Sequence, residues 1–172
     1  DIVNEEEQSL KGTFRLAVLP TIAPYLLPRF FQQLSEKHTD LDIRMLEMKT
    51  APTMAALQNG EIDAAIIANQ PTESNLQGDI LYYEQFFGYV AHNESIFKKD
   101  LIRTADINDE RLWLLDEGHC FRDQLMRFCQ MEKVKVRQAA YRLGSLETFM
   151  RMVESGNGIT SVSYTHLRAH ET

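Results

Sequence analysis

The chain has 172 residues, 44% of them apolar and 25% charged, with a formal net charge of −7. That balance suits a soluble globular protein of one or two small lobes and excludes a helical membrane span, since no apolar run approaches the roughly 20 residues a bilayer requires. Basic residues gather no further than Lys98-Lys99 and the scattered Lys133, Lys135 and Arg137, which argues against this segment gripping a phosphate backbone itself.

The lead-in Asp1-Ile2-Val3-Asn4-Glu5-Glu6-Glu7 is acidic where a secretory signal is basic, so a cytoplasmic setting is expected. Residues 14–19 read as a buried strand, broken by Pro20-Thr21 before a helix that carries Leu26, Leu27, Phe30, Phe31 and Leu34 on one face. Residues 41–48 alternate apolar and polar as a second strand, and Thr50 is expected to cap the helix that follows, closed by Asn59-Gly60. The near-continuous apolar run 62–68 predicts a central strand covered on both faces. Strands alternating with helices through short connections imply an α/β layer with a largely parallel sheet.

Past a polar stretch at 69–78, the Tyr- and Phe-rich residues 81–91 read as extended and cross to a second lobe. Residues 111–115 predict a buried strand, followed by a helix with Phe121, Leu125, Phe128 and Cys129 near one face. A strand at 141–143 comes next, then a helix capped by Ser145 with Leu146, Phe149, Met150 and Val153 inward. Gly156-Asn157-Gly158 ends that helix before a strand at 159–162. The chain contains no internal repeat.

Its two cysteines, Cys120 and Cys129, are nine positions apart. A helix turns about 100° and rises about 1.5 Å per residue, which puts them on opposite faces and roughly 13 Å apart along the axis. A disulfide needs Cα atoms within about 7 Å, so pairing within one helix requires that segment to refold. At a helix start, with His119 before it and Arg122 two residues on, Cys120 has the surroundings that favour thiolate. A thiolate there reacts with peroxide to a sulfenic acid that a second thiol captures. Asp123 opposes the thiolate as a charge but suits the first turn and is able to position a water or peroxide.

Free cysteines are also among the most buried residues, and local pattern alone leaves two small apolar packers as the commoner case. Zinc is disfavoured, because His119, Cys120 and Cys129 supply three ligands without paired-cysteine spacing. His166 and His170 have the i, i+4 spacing of a metal face but fall in a tail read as solvated or artificial. The lone His38 and His92 read as ordinary surface or core histidines. Thr21 and Thr50 each follow a strand end and precede a helix, where small ligands collect in α/β sheets and where a threonine also serves as a cap.

Leu19-Pro20-Thr21 with Pro24-Tyr25-Leu26-Leu27-Pro28, Gly118-His119-Cys120-Phe121-Arg122-Asp123-Gln124 with Cys129, and Ser145-Leu146-Glu147-Thr148 leading to Gly156-Asn157-Gly158-Ile159-Thr160 together carry a family pattern. The stretch 12–162 resembles the regulatory domain of LysR-type transcriptional regulators, and the cysteine segment resembles their peroxide-sensing members. The resemblance implies a two-lobed α/β effector domain like a periplasmic solute-binding protein, incomplete at its C-terminal end. Residues 1–11 would end a linker helix from a winged helix-turn-helix lying outside this chain. Residues 12–82 would form lobe I, 83–162 a redox-active lobe II, and 163–172 an unrelated tail.

By the same resemblance, Cys120 is the peroxide-reactive cysteine and Cys129 the resolving one. Thr21, Thr50, His119 and Asp123 line the peroxide pocket, and Arg122 supports the thiolate. The implied partners are hydrogen peroxide, further copies of the chain in a homodimer or tetramer, and promoter DNA and RNA polymerase through the full-length protein, with no membrane, cofactor or metal. The implied activity is that of a stoichiometric sensor. A small-molecule effector domain with inert cysteines, or a thiol peroxidase that turns over with a reductant, are the competing readings.

Overall fold

A computed structural model describes residues 11–68, 75–107, 111–115, 120–128, 145–163 and 166. The first part is β1 (Gly12–Val18), α1 (Ala23–Lys37), β2 (Leu41–Glu47), α2 (Thr50–Gln58) and β3 (Ala64–Ile66). These strands form a parallel sheet in the order β2-β1-β3. Alternation along β1 explains its position. Leu16 and Val18 face α1 residues such as Ala23, Leu27 and Phe30, whereas Ala17 faces Ala56 and Leu57 of α2. Side chains two apart share a face, so the two helices cover opposite faces of β1.

The run 62–68 differs from its expected role. Only Ala64–Ile66 are strand, they are partly buried, and among the described residues they flank the sheet while β1 is central. The strand is nevertheless covered on both faces as expected, Ala64 and Ile66 packing in the cluster under α1 and Ala65 in the cluster under α2.

Residues 79–85 are exposed and form no regular element, and pairing begins only at β4 (Phe86–Val90). The later helices are α3 (Cys120–Phe128) and α4 (Leu146–Glu154), and β5 (Ile159–Ser163) runs antiparallel to β4. Ser145 caps α4 as expected, its hydroxyl accepting a 3.1 Å bond from the Thr148 N–H. Leu146, Phe149, Met150 and Val153 are all buried.

Residues 112–115 are buried but form no continuous ladder with a described strand; Leu112 makes a single parallel bridge to Ile159. The segment still alternates like a strand. Trp113 and Leu115 join Phe121, Phe149 and Val153, while Leu112 and Leu114 join Leu125 and Ile159. α3 therefore seats Phe121 in one cluster and Leu125 in the other. The expected strand at 141–143 lies outside the described residues.

Candidate functional site

Register brings the two threonines together. Val18 of β1 pairs with Glu47 of β2, and Thr21 and Thr50 each lie three residues past that pair. They occupy equivalent places on adjacent β-α units, at the carboxyl edge where parallel sheets bind ligands. Thr21 is 6% exposed.

Neither threonine caps its helix. The N-cap of α1 is Ile22 and that of α2 is Lys49, and neither makes a side-chain cap bond. Thr50 is instead the first residue of α2, and its Oγ1 is buried with no hydrogen-bond partner among the described residues. The hydroxyl that folds back on this helix is that of Thr53, donating at 2.9 Å to the Lys49 carbonyl. A buried hydroxyl without a partner has lost its hydration for nothing within the fold, which marks a position poised for a ligand.

The cysteine helix reaches the same edge. Cys120 is the first residue of α3, where unpaired N–H groups and the helix dipole favour an anion. One turn later the Gln124 side-chain amide donates a 3.0 Å bond to the carbonyl of Ala68, just beyond β3. Thr21, Thr50 and Ala68 thus mark the carboxyl ends of three neighbouring strands, and α3 is fastened to the third.

Of the other expected site residues, Asp123 is exposed in the first turn of α3. Arg122 is half-buried, and its Nη1 has no hydrogen-bond partner among the described residues. His119 and Cys129 lie outside the described residues. Among the described residues, no group of three or more His, Cys, Asp or Glu is arranged to hold a metal ion. No described helix is long and apolar enough to cross a membrane.

Three residues at this edge were not among the expected site residues. Tyr25 is 7% exposed, and its hydroxyl donates a 3.0 Å bond to Glu147 of α4. Burial first, and then the Glu147 carboxylate, push the phenol well above its usual range. Gln124 stood within the cysteine motif, but nothing local announced its partner 56 positions away.

The third is His166, for which a solvated tail was expected. It is 3% exposed, with Nδ1 accepting from the Ser163 N–H at 2.8 Å and Nε2 facing the Thr21 carbonyl at 2.7 Å. That leaves the proton on Nε2, donated to Thr21. The ring meets Tyr25 and Phe121 edge-on at centroid distances of 4.6 and 5.7 Å. Burial lowers its pKa against the smaller opposing effect of its hydrogen bonds.

A separate hollow of about 320 Å³ lies beside β4 and β5, lined by Phe87, Ile102, Ile107, Leu112, Leu125 and Ile159 among others. It contains none of the expected site residues, so open volume does not locate the chemistry.

A model of the LysR substrate binding domain matches residues 7–171. A probable hydrogen peroxide-inducible genes activator of Mycobacterium leprae is 34% identical over 155 residues, covering 90% of this chain and 50% of that protein. The DNA-binding transcriptional dual regulator OxyR of Escherichia coli is 29% identical over 160 residues, covering 93% and 52%. The chain spans about half the length of the curated relatives it matches.

Among solved structures, OxyR from Porphyromonas gingivalis is 53% identical with a TM-score of 0.82, covering 92% of this chain and 72% of that one. The hydrogen peroxide-bound C206S mutant of Corynebacterium glutamicum OxyR is 30% identical with a TM-score of 0.78, covering 90% and 49%.

Proposed function

The chain belongs to the LysR substrate-binding domain family, and from that premise we propose that it is the peroxide-sensing regulatory domain of a transcription activator. The observation that carries the proposal is the buried, unpartnered Thr50 hydroxyl, which lies in register with Thr21 on the edge where α3 is fastened through Gln124. Relatives named as hydrogen peroxide-inducible activators, and one related structure described as peroxide-bound, support the choice of ligand.

Peroxide sits between the Thr21 and Thr50 hydroxyls and the first turn of α3, with His119 and Asp123 completing the pocket. The Cys120 thiolate attacks one peroxide oxygen and the O–O bond breaks. The sulfur becomes a sulfenic acid, and the departing hydroxide takes a proton to leave as water. The helix dipole and the Arg122 guanidinium favour the thiolate before attack. Cys129 then attacks the sulfenic sulfur, forming the disulfide and releasing a second water. Two thiols thus give two electrons to one peroxide, once per activation, which makes the chain a stoichiometric sensor.

Because the cysteines sit nine residues apart, the disulfide demands that α3 unwind, withdrawing Phe121 and Leu125 from two clusters. That rearrangement is the output. In the whole protein it changes the packing of a dimer or tetramer on promoter DNA and its engagement of RNA polymerase in the cytoplasm. The separate parallel and antiparallel sheets support lobes at 12–82 and 83–162.

Mass spectrometry after peroxide treatment tests this. A Cys120–Cys129 disulfide is expected, with a sulfenic acid trapped on Cys120 in Cys129→Ser. Unmodified cysteines in the treated protein would sink the proposal and favour an effector domain that binds a different small molecule.

A further inference from the structure

Besides the bond between His166 and the Thr21 carbonyl, hydrogen bonds from Tyr25 and Gln124 join the parallel-sheet part of the chain to the part that carries the cysteine helix. Tyr25 Oη donates to Glu147 Oε2 at 3.0 Å, linking α1 to α4 across 122 positions. Gln124 Nε2 donates to the Ala68 carbonyl at 3.0 Å, linking α3 to the end of β3 across 56 positions. Each lies four residues beyond a residue of the proposed pocket, Tyr25 after Thr21 and Gln124 after Cys120. Gln124 lies one turn after the first residue of α3, so its bond fastens the N-terminal turn of that helix.

The two ends of this arrangement are supported differently. Glu147 is itself oriented, since Arg151 approaches it at 3.2 Å from the next turn of α4. Tyr25 is buried against the His166 ring, which leaves its phenol few alternative directions. Gln124 is only half-buried, and its bond ends on a main-chain carbonyl, so it yields more easily.

We infer that Tyr25–Glu147 and Gln124–Ala68 form a two-point clamp between the two sheets, in which Tyr25 and Gln124 are positioning residues that hold the N-terminal turn of α3, where Cys120 begins the helix, at the edge marked by Thr21 and Thr50. The inference rests on the sensor reading above and deepens it. Attack on peroxide needs sulfur and oxygen aligned within a few tenths of an ångström, which a loosely docked helix does not provide. When α3 unwinds, Gln124 leaves Ala68 and the clamp opens at that point, while Tyr25–Glu147 persists as the pivot. The break occurs on the redox-active helix and is felt at the third strand of the other sheet.

The test uses the protein carrying residues 1–172, with Tyr25→Phe, Gln124→Glu and Gln124→Lys. Glutamate keeps the shape of Gln124 but cannot donate to a carbonyl, whereas lysine restores a donor. The first readout, amide hydrogen exchange without peroxide at residues 22–26 and 64–68, does not depend on redox chemistry. Loss of one hydrogen bond corresponds to about fivefold faster exchange at the affected segment. Tyr25→Phe is expected to show this at 22–26 and Gln124→Glu at 64–68, with Gln124→Lys near the parent.

The second readout compares the rates at which hydrogen peroxide and iodoacetamide modify Cys120. The clamp predicts about fivefold or greater slowing with peroxide in Tyr25→Phe and Gln124→Glu, recovery in Gln124→Lys, and unchanged alkylation, because thiolate formation is not what the clamp controls. Exchange and peroxide rates within twofold of the parent in both variants would overturn the clamp. If exchange responds while the parent's Cys120 resists peroxide, the clamp stands as a contact between the two sheets, but the sensor reading and the positioning role fall together. If the parent forms its disulfide and exchange does not respond, only the clamp falls.

Discussion

Trp113 stacks on Phe149 with ring centroids 5.9 Å apart and an interplanar angle of 25°, and both share a buried cluster with Phe121, the residue after Cys120. Trp113 is the chain's single tryptophan. It is an intrinsic reporter of whether Phe121 is docked. Peroxide treatment should change tryptophan fluorescence in step with disulfide formation, and Cys129→Ser should abolish the change while still forming sulfenic acid. A spectrum unaltered on disulfide formation would show that α3 keeps its place.

Leu125 anchors the other side of the same helix against Leu112, Leu114 and Ile159. Leu125→Ala should destabilise the reduced protein by about 2–5 kcal/mol, the usual cost of emptying a leucine site. In the proposed disulfide form this side chain has already left its cluster, so that form loses less. The variant should therefore need more reductant to return to the dithiol, as read by titration with dithiothreitol. An unchanged midpoint alongside the expected loss of stability would show that Leu125 stays docked in both states.

Thr50→Val separates ligand binding from folding. The Thr50 hydroxyl is buried without a partner, so its replacement by a methyl of similar size should leave stability unchanged or slightly improved. The rate of Cys120 oxidation should fall by about tenfold, the effect of losing one well-aimed hydrogen bond of roughly 1.4 kcal/mol at the reacting atom. Thr53→Val, which removes a hydroxyl bonded to the Lys49 carbonyl, should show the reverse, with lower stability and little change in rate. Stopped-flow kinetics and thermal unfolding of both variants check the pair.

Glycine requirements differ at two turns. Gly158 has φ +80°, and a Cβ there would collide with the Arg111 carbonyl and approach the Trp113 indole nitrogen to 2.9 Å. Gly60 has φ +69° with open space around it. Gly60→Ala should cost about 1–2 kcal/mol for the left-handed backbone alone, and Gly158→Ala about 1–3 kcal/mol beyond that for crowding. Denaturant unfolding of the two variants measures the difference.

Alkaline titration reads the phenols of Tyr25 and Tyr89, each bound to a carboxylate. Tyr89 donates at 2.8 Å to Glu154, and burial first and then that carboxylate raise its pKa to about 12; Tyr25 is raised further for the same reasons. In the unfolded chain both ionise near 10. A raised folded pKa means the native state holds protons that the unfolded state has released, so this stabilisation is complete below pH 10 and is lost as pH climbs through 12. Tyrosinate absorbance should show Tyr25 and Tyr89 ionising late, with unfolding free energy declining over the same interval. Tyr89→Phe should remove one lagging phenol.

The sequence made the paired β-α units legible because each is local. A buried run, a breaker at Pro20-Thr21 and an amphipathic helix all fall within a few residues of one another. The Ser145 cap and the start of α3 at Cys120 were readable for the same reason. The flanking place of β3 among the described strands was not, because a run covered by helices on both faces looks alike whether a strand pairs on one side of it or on both. Residues 112–115 kept the alternation of a strand, yet pattern does not say how many of its backbone groups find a described partner. Thr21 and Thr50 were expected to be both caps and ligand groups, and geometry removed the first role. The bond between Tyr25 and Glu147 left no local trace, since hydrogen-bond partners 122 residues apart are chosen by the fold.

The level register of β1 and β2 has a consequence for how such a regulator acquires a new signal. Thr21 and Thr50 stand just past the ends of the ladder, while the side chains that hold the sheet together, Leu16, Ala17 and Val18, lie behind them. If they hold the ligand as proposed, changing what is recognised is separated from keeping the scaffold intact. On the proposed reading, exchanges at these two matched positions alter the ligand site while the interior stays as it was.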